Sequence, residues 1–188
     1  MYKAIIFDFY GVICNEIGSQ WYKTRIPSVP TEEVKRKYDD PSDLGEITDT
    51  EFFEAIGAVA QTPGRDVRNE WMEAATIDQA VVALVRDLGQ RYQVAICSNA
   101  GAEIFWEIIK QNDLEGLFDV IVCSSQVHMI KPNPEIFAYT LKKLKVLPQE
   151  ALFIDDREVN VQGARAAGLQ ALLYKDVETL RQELTNLL

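Results

Sequence analysis

Five short apolar runs punctuate the chain: Lys3-Ala4-Ile5-Ile6-Phe7, Gln93-Val94-Ala95-Ile96-Cys97, Asp119-Val120-Ile121-Val122-Cys123, Ala151-Leu152-Phe153-Ile154 and Gln170-Ala171-Leu172-Leu173-Tyr174. Apolarity that is continuous rather than alternating marks strands covered on both faces. Between the runs, side chains recur at helical spacing: Ile104, Ile108 and Ile109; Ile136, Phe137, Tyr139, Thr140, Leu141 and Leu144; Val159, Val161, Ala164, Ala167 and Leu169. Strand alternating with helix predicts an α/β fold, a parallel sheet with helices on both faces.

Residues 15–80 break this rhythm. They hold no convincing apolar strand, only amphipathic helical pieces separated by Pro27, Pro30, Pro41 and Pro63. Thr48-Asp49-Thr50-Glu51, followed by Phe52, Phe53 and Ile56, has the form of a capped helix start with a core-facing stripe. The expected organisation is an α/β core from residues 1–14 and 81–188, interrupted by a helical lobe over 15–80.

The chain has 188 residues, 47% hydrophobic and 26% charged, enough for one sizeable core with a small insertion. A formal net charge of -10 argues against a sequence-independent grip on nucleic acid or anionic membrane. No basic leader with an apolar segment opens the chain, and no uncharged stretch approaches membrane-spanning length, so a soluble cytoplasmic protein is expected. Cys14, Cys97 and Cys123 are far apart and lie in or beside apolar runs, as buried reduced thiols do.

Polar groups stand at the predicted strand ends: Asp8 after the first, Ser98-Asn99 after the second and Asp155-Asp156 after the fourth, while Lys131 follows the third by a short loop. Taken singly, Ser98, Asn99 or either Asp would serve as a helix cap, and Lys131 as a solvated loop lysine. Together they fall at one edge of a parallel sheet, where ligands of such sheets collect. Three carboxylates there repel unless one is protonated or a cation sits among them, and hard oxygen ligands suit Mg²⁺. A Ser hydroxyl, backbone N–H groups and an ammonium provide donors for a phosphoryl group. The implied chemistry is attack of a carboxylate on phosphorus, followed by hydrolysis of the acyl-phosphate.

The set Asp8-Phe9-Tyr10-Gly11-Val12-Ile13, Ser98-Asn99, Lys131-Pro132 and Asp155-Asp156 resembles the haloacid dehalogenase superfamily, in order and over nearly the whole chain. The resemblance implies a Rossmann-like core whose helical insertion is a cap over the substrate. The short cap and the run from Phe153 most resemble small sugar-phosphate phosphatases and the N-terminal phosphatase domain of soluble epoxide hydrolases. The roles it implies are Asp8 as nucleophile and metal ligand, the Tyr10 carbonyl as a second ligand, and Asp155 and Asp156 completing the Mg²⁺ site, with the inner-sphere member of that pair open. Ser98 would bind phosphoryl oxygens, Lys131 would neutralise the nucleophile, and Asn99 and Gly11 would shape the loops. The partner would be a small phosphorylated metabolite.

One position departs from the phosphatase pattern. Most phosphatases of the family carry a second Asp two residues after the nucleophile, as proton donor and then base; here that residue is Tyr10. A phenol with a reference pKa of about 10 is no base at neutral pH, although it donates hydrogen bonds. A Tyr-Gly pair after the nucleophile also resembles the 2-haloacid dehalogenases, whose halide leaves without a proton, but the paired Asp155-Asp156 suits a metal that those enzymes do without. Loss of the second Asp also fits a catalytically weakened binding or regulatory protein of the same fold, or an enzyme in which His128, near Lys131, is a surrogate proton carrier.

Overall fold

A computed structural model describes residues 1–188. Five strands form one parallel sheet: β1 (Ala4–Phe7), β2 (Gln93–Ser98), β3 (Val120–Cys123), β4 (Ala151–Asp155) and β5 (Gln170–Leu173), in the order β3-β2-β1-β4-β5. All five predicted runs are strands. The chain moves outward from β1 through β2 to β3, then returns to β4 on the other side of β1. The crevice beyond the carboxyl ends of β1 and β4 is therefore the topological switch point.

Both sheet faces are buried, so side chains alternate between two apolar clusters rather than between core and solvent. Ala4 and Ile6 of β1 join Ala95, Cys97, Val122 and Phe153 against Ile136, Phe137 and Leu141 on one face. Ile5 and Phe7 join Val94, Ile96, Leu152 and Ile154 on the other.

Between β1 and β2 run α1 (Gly18–Arg25), α2 (Thr31–Val34), α3 (Asp40–Asp43), α4 (Asp49–Ala60), α5 (Gly64–Ala74) and α6 (Gln79–Leu88). A π-helical turn, Lys35–Asp39, joins α2 to α3. The predicted start of α4 is a capping box: Thr48 Oγ1 accepts from the Glu51 N–H, and Glu51 accepts from the Thr48 N–H. Later come α7 (Ala102–Gln111), α8 (Ser124–Val127), α9 (Pro134–Leu144), α10 (Glu158–Ala166) and α11 (Val177–Leu187).

The apolar cluster on the Ile5/Phe7 face does not stop at the sheet. It runs on through Trp21, Tyr22, Phe52, Phe53 and Trp71 of the helices preceding α6. These helices leave and rejoin the sheet side by side: the Asn15 N–H donates to the Thr76 carbonyl (3.0 Å), the Asp78 N–H to the Ile13 carbonyl (2.9 Å), and Asn15 Oδ1 accepts from the Thr76 N–H (2.7 Å).

Candidate active site

Register sets the centre of the site. Phe7 lies beside Ile154 in the β1–β4 pairing, so the next residues, Asp8 and Asp155, reach the sheet edge at the same level. The Asp8 N–H extends the ladder to the Ile154 carbonyl (2.8 Å). Lys131, whose side chain is fully buried, places its ammonium 2.7 Å from Asp8 Oδ1 and 2.7 Å from Asp155 Oδ2. Its backbone is fixed by Asn99, which accepts from the Lys131 N–H at 2.8 Å and donates to the Lys131 carbonyl at 3.0 Å. The loops after β2 and β3 are thus tied together beside the carboxylates.

Burial, and next the neighbouring Asp155, push the Asp8 carboxyl well above the ordinary range, against the pull of Lys131. Burial acts the same way on Asp155, but the Lys131 ammonium and hydrogen bonds from its neighbours outweigh it and hold Asp155 low. Lys131 is itself raised: burial disfavours its charge, and Asp155 and Asp8 more than restore it. The site thus holds more carboxylate than one ammonium neutralises.

Asp156 is the surplus group. Burial, together with Asp155 and Glu16, raises it to about 6. Oxygens of Asp8, Asp155 and Asp156 lie within 4.8 Å of one another. Gly11 lies against this trio at φ +84, and a Cβ there would run into the Asp156 carboxylate. No backbone N–H donates to the Tyr10 carbonyl, which leaves its lone pairs available. A divalent cation fits this donor set, because converging oxygens carry more negative charge than the protein itself offsets.

The two Asp residues are engaged differently. Asp155 accepts from Lys131, from the Arg157 N–H (2.8 Å) and from Asn160 Nδ2 on both oxygens (3.0 and 3.1 Å). Neither it nor Asp156 caps α10, whose N-cap Arg157 makes no side-chain bond. Asn160 did not stand out among the motifs. Its signal is a polar residue on the buried stripe of α10, one turn before Ala164.

A cavity of about 530 Å³ opens over the centre. Asp8, Tyr10, Asn99, Lys131 and Asp156 line its floor side, and Asp39, Asp43, Asp49, Phe52 and Trp71 line it from the helices preceding α6. Ser98 is fully buried at the end of β2 and is not on the wall, its hydroxyl only 3.5 Å from the Asn99 carbonyl. Nor do Ser98 and Asn99 cap α7. Its N-terminal turn is served across the cavity by Asp49, which accepts from the Ile104 N–H at 2.8 Å. His128 is exposed and off the cavity wall, its Nδ1 2.9 Å from the Leu44 carbonyl, so it is not placed to carry a proton to the centre. Burial, with charge from Cys14, Cys123, Asp43 and Asp49, keeps the Tyr10 phenol neutral, its pKa well above the usual value.

The profile of the haloacid dehalogenase-like hydrolases matches residues 5–174. The chain is 26% identical to a D-ribitol-5-phosphate phosphatase of Bacteroides thetaiotaomicron, covering 100% of this chain and 99% of that protein. It is likewise 26% identical to the sesquiterpene phosphatase astK of Aspergillus oryzae, covering 99% and 96%. Some relatives are longer: the chain spans 37% of the drimenol cyclase drtB of Aspergillus calidoustus, at 26% identity. Among solved structures, a HAD family enzyme of B. thetaiotaomicron in complex with magnesium and inorganic phosphate superposes with a TM-score of 0.77 at 25% identity, covering 93% of this chain and 95% of that one.

Proposed function

The chain belongs to the haloacid dehalogenase-like hydrolases, and on that footing we propose that it is a Mg²⁺-dependent hydrolase of a small phosphomonoester, acting through an aspartyl-phosphate on Asp8. The observation that carries the proposal is the assembly of buried Asp8, Lys131 and Asp155 with half-buried Asp156 at the sheet's switch point. Residues 15–80 act as the cap over the substrate, and the protein works in the cytoplasm on a phosphorylated metabolite. No helix is long and apolar enough to cross a membrane.

Asp8, the Tyr10 carbonyl and Asp156 would hold the metal. Asp156 is the better inner-sphere ligand, because Asp155 is already occupied by Lys131, Arg157 and Asn160. Bound there, Mg²⁺ supplies positive charge against the phosphoryl oxygens and the nucleophile. Lys131 holds Asp8 in place and lowers the cost of its ionised form. One Asp8 oxygen attacks phosphorus as the ester oxygen leaves, and water then cleaves the aspartyl-phosphate and restores the carboxylate. Asn99 fixes the Lys131 loop and Gly11 lets the first loop pass under Asp156, whereas Ser98, buried at the end of β2 and off the cavity wall, does not reach the substrate in this conformation and takes the phosphoryl role of its motif only if that loop opens.

The test is phosphate release from p-nitrophenyl phosphate and a panel of sugar phosphates, with and without Mg²⁺, beside an Asp8→Asn control. Release that requires both the metal and Asp8 is the expected result. The Tyr10-Gly11 pair favours a second reading, a 2-haloacid dehalogenase. Halide release from 2-chloropropionate without metal, and no phosphate from any ester, would put that reading first.

A further inference from the structure

The proposed reaction lacks a proton donor for the leaving oxygen, and the floor of the cavity has none free: the Tyr10 phenol holds its proton far above the usual range, Lys131 is committed to two carboxylates, and Asp156 is assigned to the metal. The opposite wall is richer in acids, and most of these are already employed. Asp39 accepts from the Tyr22 hydroxyl, Asp49 from the Ile104 N–H, and Glu16 from Ser19 and Lys35. Asp40 and Glu32 face solvent.

Asp43 is different. It is half-buried on the cavity wall, and its carboxyl has no hydrogen-bond partner in the protein. Its backbone, by contrast, is firmly held. Ser124 Oγ donates to the Asp43 carbonyl at 2.6 Å and accepts from the Ala100 N–H at 2.9 Å, which joins this turn to the loop after β2. Gly45, two residues on, packs so closely on the Ser125 carbonyl that no Cβ fits between them. Asp43 lines the same cavity as Asp8, Tyr10 and Lys131, and its backbone is tied to Ser124, the residue that follows β3.

We propose that Asp43, supplied by the helical segment rather than by the nucleophile loop, is the general acid and base of the reaction. The inference rests on the phosphatase reading. As Asp8 attacks phosphorus and the P–O bond to the alcohol breaks, the departing oxygen takes the proton of the Asp43 carboxyl and leaves as a neutral alcohol. Asp43, now a carboxylate, accepts a proton from the water that attacks the aspartyl-phosphate. That step breaks the P–O bond to Asp8, releases phosphate, and returns Asp8 as carboxylate and Asp43 as acid. Burial, with the charges of Asp39 and Asp40, favours the protonated form that the first step requires.

The test compares an alkyl phosphate, whose alkoxide needs a proton, with p-nitrophenyl phosphate, whose phenolate does not. For Asp43→Asn, kcat/KM for the alkyl ester, which reports the transfer to Asp8, should fall by about 10²–10⁴-fold, the range for a lost general acid, and by at least about tenfold more than kcat/KM for the aryl ester. Adding Tyr10→Asp to Asp43→Asn should recover the alkyl rate, by putting a carboxyl two residues after the nucleophile, on the same cavity. Equal losses of kcat/KM on both esters, or no recovery of it by Tyr10→Asp, would overturn the role of Asp43 while leaving the phosphatase reading intact, because kcat/KM excludes the later hydrolysis that the two esters share. Absence of phosphate release by the unaltered protein would overturn both. Where Asp43→Asn lowers the melting temperature, Asp43→Ser gives the same comparison in a smaller side chain.

Discussion

Replacing Lys131 by Met tests the electrostatic centre most directly. The ammonium is fully buried, 2.7 Å from each of two carboxylates. At an effective dielectric of about 20, each contact is worth roughly 6 kcal/mol before the desolvation of the three groups is subtracted. Removing one partner of such a buried set costs about 3–5 kcal/mol, because the charges left behind have no water. A second limit comes from the proton: neutralising one Asp at pH 7 against a reference pKa of about 3.9 costs about 4 kcal/mol, so the loss cannot greatly exceed that figure. We therefore expect Lys131→Met to lose about 3–4 kcal/mol at pH 7 without metal, read by urea unfolding with the fluorescence of Trp21, Trp71 and Trp106. The pH dependence has a definite sign. Asp155 is held low in the native protein, so its contribution is present above its unfolded pKa of about 3.9 and disappears as pH falls. The gap between variant and native protein should thus open with rising pH and narrow below about pH 4. A loss under about 1 kcal/mol, or one that does not change with pH, would refute the view that Lys131 chiefly compensates these carboxylates.

Three further predictions concern the surroundings. Asp39 is raised to about 6, chiefly by burial, so the cost of ionising it in the folded protein builds as pH rises from its unfolded pKa of about 3.9 to about 6 and is fully present above that. Asp39→Asn should gain about 2 kcal/mol at pH 8 and nothing at pH 4, and an equal gain at both would remove that explanation. Asp49→Ala should cost about 1–3 kcal/mol by orphaning the buried Ile104 N–H, whereas Asp49→Asn, which keeps an acceptor, should cost less; thermal melts distinguish them. Gly11→Ala forces a Cβ against Asp156 at a left-handed φ and should weaken Mg²⁺ binding in calorimetric titration as well as lowering stability by about 1–2 kcal/mol. Unaltered Mg²⁺ affinity would show that the Gly11 turn does not support the metal site.

The five strands and the capping box at Thr48 were legible because they depend on local signals, continuous apolar runs and a four-residue cap. The order of polar groups at the strand ends was legible for the same reason. What the sequence concealed depends on contacts between distant segments. Nothing near Gly101 shows that its helix is capped by Asp49. Asn160 reads as one polar residue in a helix until α10 is laid beside β4 and its amide meets Asp155. Ser98 looks like an exposed donor after a strand, yet β2 runs one residue further than its apolar run and buries it. His128 is near Lys131 in sequence, but its turn points it to Leu44.

The apolar cluster that passes from the Ile5/Phe7 face of the sheet into Trp21, Phe53 and Trp71 has a mechanical consequence. Helices that share one oily interior with the sheet have no seam along which to separate, so they and the sheet should melt in one cooperative step. Cutting them away would bare the aromatic residues that now seal that interior. Across the cavity the ties are polar instead: Ser124 to Asp43, Ile104 to Asp49 and His128 to Leu44. The paired crossings at Asn15 and Thr76 tie the two ends of the helical segment to each other. Loosening the polar ties would wet the cavity and leave the shared interior dry.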